Sequence, residues 1–218
     1  MLTSAKVTVP ERVRVRAFIP LFVANAIFWS LFFQQIFTVL AVYSDERMNW
    51  SIFGWIAPAS WIGSIEPVWI IVLSPLFALM WTRLGNWAPT TPRKFAYGVI
   101  GMGLAFLCFV PLAGISAVPA LLVMMIMAVF AISELLLSPI GLSVTTKLAP
   151  EAFRAQMMAL YFFSVGLGTA MSGVLAGYYD PSREVAYFGI LGGGVAVAAG
   201  VLVFAIAPWI SRQMEGVH

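Results

Sequence analysis

Six long runs of apolar residues dominate this 218-residue chain, at roughly 17–43, 50–82, 95–113, 118–145, 155–179 and 186–209. About 20 apolar residues, each rising about 1.5 Å along a helix, cross the hydrocarbon core of a bilayer. No water is available there, so backbone groups must bond within their own segment, and a helix does this. The runs therefore predict an all-α membrane protein: six transmembrane helices over 17–209, after a cytoplasmic segment 1–16 and before a cytoplasmic tail 210–218. Composition agrees. The chain is 61% hydrophobic and only 10% charged, where a soluble domain carries about 25% charge. The runs are too many and too long for a signal peptide.

Charge placement orients the spans. The segments 1–16, 83–94, 146–154 and 210–218 should share one side. They hold Lys6, Arg12, Arg14, Arg16, Arg83, Arg93, Lys94, Lys147, Arg154 and Arg212. The alternate segments 44–49, 114–117 and 180–185 hold only Arg47 and Arg183. Lysine and arginine accumulate on the cytoplasmic side, which puts both termini in the cytoplasm and makes the number of spans even. The same asymmetry explains the net charge of +3 without a nucleic-acid partner. The second run exceeds one bilayer thickness and contains Pro58, Pro67 and Pro75. It is either one long kinked helix or a helix preceded by a partly interfacial segment over Met48–Ile62, and Trp50, Trp55 and Trp61, which prefer the headgroup level, suit either.

Two acids stand inside the apolar runs, Glu66 and Glu134, and both are followed by proline. A carboxylate in hydrocarbon is costly and marks a functional site by default. Glu66 is the midpoint between Asn49 and Arg83, and Glu134 lies close to the midpoint between Val118 and Lys147. Ser30, Gln34 and Gln35 fall near the middle of the first run, so three helices bring polar groups to one depth. Pro67 and Pro139 are expected to interrupt their helices and free the carbonyls of Gly63 and Leu135. Small residues mark packing faces: Thr169, Gly173 and Gly177 on the fifth run, and Gly189, Gly192, Gly193, Ala196 and Gly200 on the sixth. These two faces are expected to pack against each other. The single cysteine, Cys108, excludes a disulfide framework or thiol cluster, and the single histidine is the last residue, His218. Neither a metal nor an organic cofactor is expected.

The assembled motifs resemble those of the proton-dependent oligopeptide transporters of the major facilitator superfamily. Glu134-Leu-Leu-Leu-Ser138-Pro139-Ile-Gly141-Leu-Ser143 resembles the signature of that family's tenth helix. Phe28-Trp29-Ser30-Leu31-Phe32-Phe33-Gln34-Gln35 is similar to its seventh helix, and Ile65-Glu66-Pro67-Val68-Trp69-Ile70-Ile71 to its eighth. Thr91-Pro92-Arg93-Lys94-Phe95-Ala96-Tyr97-Gly98 resembles the start of the ninth. Leu148-Ala149-Pro150 through Met157-Met158-Ala159-Leu160-Tyr161-Phe162 resembles the start of the eleventh. The resemblance covers nearly the whole chain in order and spacing, but only the C-terminal six-helix bundle of a two-bundle fold. The other bundle's E-x-x-E-R-F-x-Y-Y motif is absent. The expectation is half of a transporter: a gene fragment, a partial chain or one chain of a split protein.

The resemblance implies roles. Glu134 stands where the family's glutamate receives the free amino end of a peptide. Glu66 stands where many members have an asparagine that also contacts peptide. Phe33 stands where many have a proton-binding glutamate, a departure for which Glu66 would compensate. Tyr161 takes the place of a pocket aromatic, Gln34 lines the pocket, and Ser138 of the signature is counted with them. Asp45 or Glu46 falls where an acid pairs with an arginine of the other half at the outer gate. The implied function is proton-coupled symport of di- and tripeptides across the plasma (inner) membrane. Glu134 would hold the ammonium, and Glu66 or Glu134 would exchange the coupling proton. The peptide carboxylate would need basic residues of the missing half.

Two other classes compete. An intramembrane enzyme lacks an internal histidine, a G-x-S-x-G elbow and any close carboxylate pair in sequence. A six-helix structural or assembly subunit without transport activity would explain the small-residue faces, but not acids at matched depth.

Overall fold

The structure, a computed structural model, describes residues 4–214 apart from the side chains of Phe33 and Gln34. Among these residues six helical spans are long and apolar enough to cross a bilayer. The first joins α1 (Val9–Gln34), a π-helical stretch (Gln35–Val39) and α2 (Leu40–Arg47). The next four are α3 (Ile62–Leu84), α4 (Thr91–Leu107), α5 (Ala120–Leu148) and α6 (Arg154–Ala176). The last joins α7 (Glu184–Gly189), a second π-helical stretch (Ile190–Val197) and α8 (Ala198–Gln213).

Local chemistry sets the starts and stops. Thr8 donates from both its backbone N–H and its hydroxyl to Glu11 Oε2, each at 2.8 Å, so α1 begins well before the apolar run. Pro10 and Pro92 occupy the first turns of α1 and α4, where a missing N–H is harmless. Gly85, at φ +46°, ends α3 in a conformation that disfavours a side chain.

The second run resolves in favour of the interfacial alternative. Ser51–Ile52 and Trp55–Ile56 form a short antiparallel hairpin, and Met48–Asn49 pairs in parallel with Val118–Pro119. Trp50 is buried and donates from Nε1 to the Ser44 carbonyl at 3.0 Å.

The expected helix breaks at proline do not occur. α3 passes through Pro67 and Pro75, and α5 through Pro139, without interruption. One missing hydrogen bond does not stop a helix held by its neighbours. The irregular turns lie instead at the two π-helical stretches. The packing of the small faces also differs from expectation. α6 packs on α1 through Gly168, where a Cβ would meet the Ala26 carbonyl oxygen at 2.5 Å. The sixth span packs on α4. A Cβ on Gly192 would lie 2.7 Å from the Gly103 oxygen, and one on Gly103 would lie 2.6 Å from the Gly192 oxygen. The expected face of the fifth span, Thr169, Gly173 and Gly177, is not the one used, since Gly173 and Gly177 are exposed, while Gly192 of the expected sixth face packs on α4 and not on α6.

The core is an aromatic chain crossing the bundle. Phe32 of α1 meets Phe130 of α5, which meets Phe106 of α4, which meets Phe188 of α7. Phe188 stacks on Phe109 with centroids 4.9 Å apart, and Tyr43 of α2 closes the chain on Phe109. α3 is the least enclosed span. It is held to α5, partly by Trp69 Nε1 donating to the Met124 carbonyl at 2.9 Å.

The loops segregate as alternation requires. At one end the Glu151 N–H donates to Glu11 Oε1 at 3.1 Å, and Ser211 and Met214 share a cavity with Gly85 and Lys94. At the other end Arg47 donates to the Ile115 carbonyl at 3.2 Å and pairs with Glu184 at 3.3 Å.

Candidate functional site

α3 and α5 run side by side, and each carries its acid on the shared face. The carboxyl groups of Glu66 and Glu134 meet across that interface, within hydrogen-bonding reach of each other. Glu66 is buried at 7% exposure, and its Oε1 has no hydrogen-bond partner among the described residues. Glu134 is partly exposed. Glu66 and Glu134 are 68 residues apart in sequence, and the fold brings them together in space. A hydrogen bond between two carboxyls needs a proton between them, so this pair can hold one proton or, without it, one compact cation.

A third helix adjoins the pair. Tyr161 of α6 is buried and lies close enough to Glu134 for their charges to interact. Its hydroxyl donates to the Ser138 carbonyl at 3.3 Å. Ser138 Oγ is itself buried without a hydrogen-bond partner. Gly141, one turn further along α5, gives the tyrosine ring its place: a Cβ there would lie 2.8 Å from Cε2. The fold thus brings Glu66, Glu134, Ser138 and Tyr161 together. The side chains of Gln34 and Phe33 lie outside the described residues. Asp45 and Glu46 are exposed at the end opposite the basic one, away from the acid pair. Asp45 lines a cleft of about 320 Å³ between α2 and α3, with Phe37 and Gly63 on its walls.

Three further buried polar contacts lie outside this cluster. Asn25 Nδ2 donates to Ser164 Oγ at 2.6 Å, joining α1 to α6. The Tyr187 hydroxyl donates to Gln35 Oε1 at 2.6 Å, beside the first π stretch. Glu184, 3% exposed, accepts from Tyr179 at 3.0 Å and pairs with Arg47 at 3.3 Å. Gln35 was legible as a mid-span amide of the first apolar run, where Asn25 is a further amide. Glu184 was hidden because it falls at the edge of its run.

The sequence pattern of the POT family matches residues 1–191. The chain belongs to the POT family. It is 39% identical, over its full length, to the uncharacterized transporter YclF of Bacillus subtilis and covers 44% of that protein. It is 34% identical to the di-/tripeptide transporter of Lactococcus lactis subsp. cremoris, covering 100% of this chain and 45% of the relative. Among solved structures, a POT peptide transporter bound to alafosfalin superposes at a TM-score of 0.91 with 44% identity, over 99% of this chain and 45% of that one. A POT family transporter in complex with 5-aminolevulinic acid superposes at 0.89 with 33% identity, over 97% of this chain and 44% of that one. The chain therefore spans less than half the length of these POT relatives. The six spans form a six-helix bundle of the major facilitator type, and the protein is an integral, multi-pass membrane protein.

Proposed function

We propose that this chain supplies the peptide-amine side of a central site in a proton-coupled symporter of di- and tripeptides. The observation that carries the reading is the meeting of Glu66 and Glu134 inside the bundle, with Tyr161 beside them. Glu134 holds the peptide ammonium through a charge-assisted hydrogen bond. Glu66 takes part in proton coupling, exchanging its proton as access to the site alternates. Gln34, Ser138 and Tyr161 line the pocket. Asp45 or Glu46 closes the outer gate against an arginine of a second six-helix half, which also binds the peptide carboxylate. The membrane is the plasma (inner) membrane, with both termini cytoplasmic, in keeping with the ten basic residues in the loops of one side. The naming of a Lactococcus lactis relative as a di-/tripeptide transporter supports peptide as the substrate class.

The test is E66Q in the whole protein, reconstituted in liposomes. Uptake driven by a proton gradient should be lost while counterflow of labelled peptide persists. Undiminished driven uptake removes Glu66 from the coupling mechanism.

A further inference from the structure

Proton exchange at Glu66 leaves one feature of the pair unused. Glu66 Oε1 is buried without a hydrogen-bond partner among the described residues. An ionised oxygen so placed is costly until a hydrogen-bonding cation completes it. Among the described residues, the neighbouring groups do not supply one. From α5 comes the Glu134 carboxyl, and beyond it the Tyr161 hydroxyl of α6 is engaged with the Ser138 carbonyl. From α2, Asp45 lines the cleft at Gly63, one turn before Glu66 on α3. The basic residues sit elsewhere. Arg47 is held by Glu184 and Ile115, and Lys94 lies 4.0 Å above the Trp81 ring. Lys147 is 13 residues along α5 from Glu134, about 20 Å at the helical rise.

We propose that Glu66 is a second ammonium subsite, which makes this site select peptides whose first residue has a cationic side chain. The inference rests on the peptide reading above. The α-ammonium takes Glu134, and the side-chain ammonium of the same residue takes Glu66 Oε1. A lysyl chain lets both groups reach two carboxyls that touch each other. Ser138 Oγ, also buried without a partner, offers an acceptor for a remaining ammonium hydrogen. Proton and ammonium exclude each other at Oε1, so a lysyl peptide crosses with one coupling proton fewer than a neutral one.

The experiment compares lysyl-alanine with norleucyl-alanine, which has the same chain without the charge, as competitors for labelled dipeptide on the whole protein. Lysyl-alanine should bind about tenfold tighter or more, as expected for one charge-assisted hydrogen bond. In E66Q the ratio of the two affinities should fall to about one, and in E66D it should persist. The wild-type ratio needs no variant, so a poorly folding E66Q does not blunt the test. Equal affinities in the wild type overturn the second subsite and leave peptide binding intact. Binding of neither dipeptide overturns the peptide reading and this inference with it. In liposomes, lysyl-alanine uptake should depend less on an imposed proton gradient than norleucyl-alanine uptake. Equal dependence overturns the exclusion at Oε1.

Discussion

The Tyr187 hydroxyl donates a 2.6 Å hydrogen bond to Gln35 Oε1, joining the first and last spans of the bundle across 152 residues of chain. Both side chains are buried. The tyrosine hydroxyl also reaches the Leu175 carbonyl at 3.1 Å. Tyr187→Phe leaves the amide oxygen without its donor at an apolar site. An orphaned buried group costs about 1–3 kcal/mol. Thermal unfolding of the purified variant in detergent should show a clearly lowered midpoint, and Gln35→Leu in the same background should recover part of it.

Breaking the outer ion pair should be more severe. Glu184 is almost fully buried, with Arg47 and Tyr179 as partners. Arg47→Ala abandons a buried carboxylate, a loss of about 3–5 kcal/mol. Glu184→Gln keeps the shape and a hydrogen bond, so it should be milder. A double-mutant cycle on unfolding midpoints reads the coupling, and additive effects would show that the two residues do not interact.

The crossing of Gly103 and Gly192 leaves no room for a side chain. Gly103→Val must push the sixth span off α4, with overpacking of about 1–3 kcal/mol. Gly166→Ala, at a position with open space around it, is the matched control. Fluorescence size-exclusion after heating should separate the two, with only the first losing its monodisperse peak early.

Glu134→Gln should weaken binding of a neutral dipeptide by about tenfold to a hundredfold, the worth of a charged hydrogen bond to an ammonium. Competition against labelled peptide checks this. Unchanged affinity would move the amine to another residue. Tyr161→Phe removes only the hydrogen bond to the Ser138 carbonyl and should change affinity severalfold at most.

Much of this was legible in the chain. The six spans followed from the apolar runs, and Glu66 and Glu134 were visible because a charge in hydrocarbon has no cheap explanation. Matched midpoints put the two acids at one depth, but lateral neighbours had to come from the fold. Other features were hidden for definite reasons. Glu184 and Arg47 sit at run ends, where a charge looks solvated. The hairpin at Ser51–Ile56 is rich in Trp and Ile, so hydropathy merged it with α3. Pro67 and Pro139 pointed to breaks that the surrounding helices suppress. The π-helical residues Gln35–Val39 have no composition that separates them from their α-helical flanks.

That last stretch acts as a phase shifter. One residue in an α-helix turns everything beyond it by about 100°. The wide turn at Gln35–Val39 therefore sets the azimuth of Tyr43, Asp45 and Arg47 independently of the residues before it. Because the wide turn takes up one residue more than an α turn, deleting one there would restore a regular α ladder and keep Arg47 near Glu184, whereas a deletion in the regular α2 before Tyr43 would turn both away by about 100°. The π turn is thus the place in the first span where one residue can be lost with least change downstream, and a deletion at Thr38 should be tolerated better than one at Ala41 in α2.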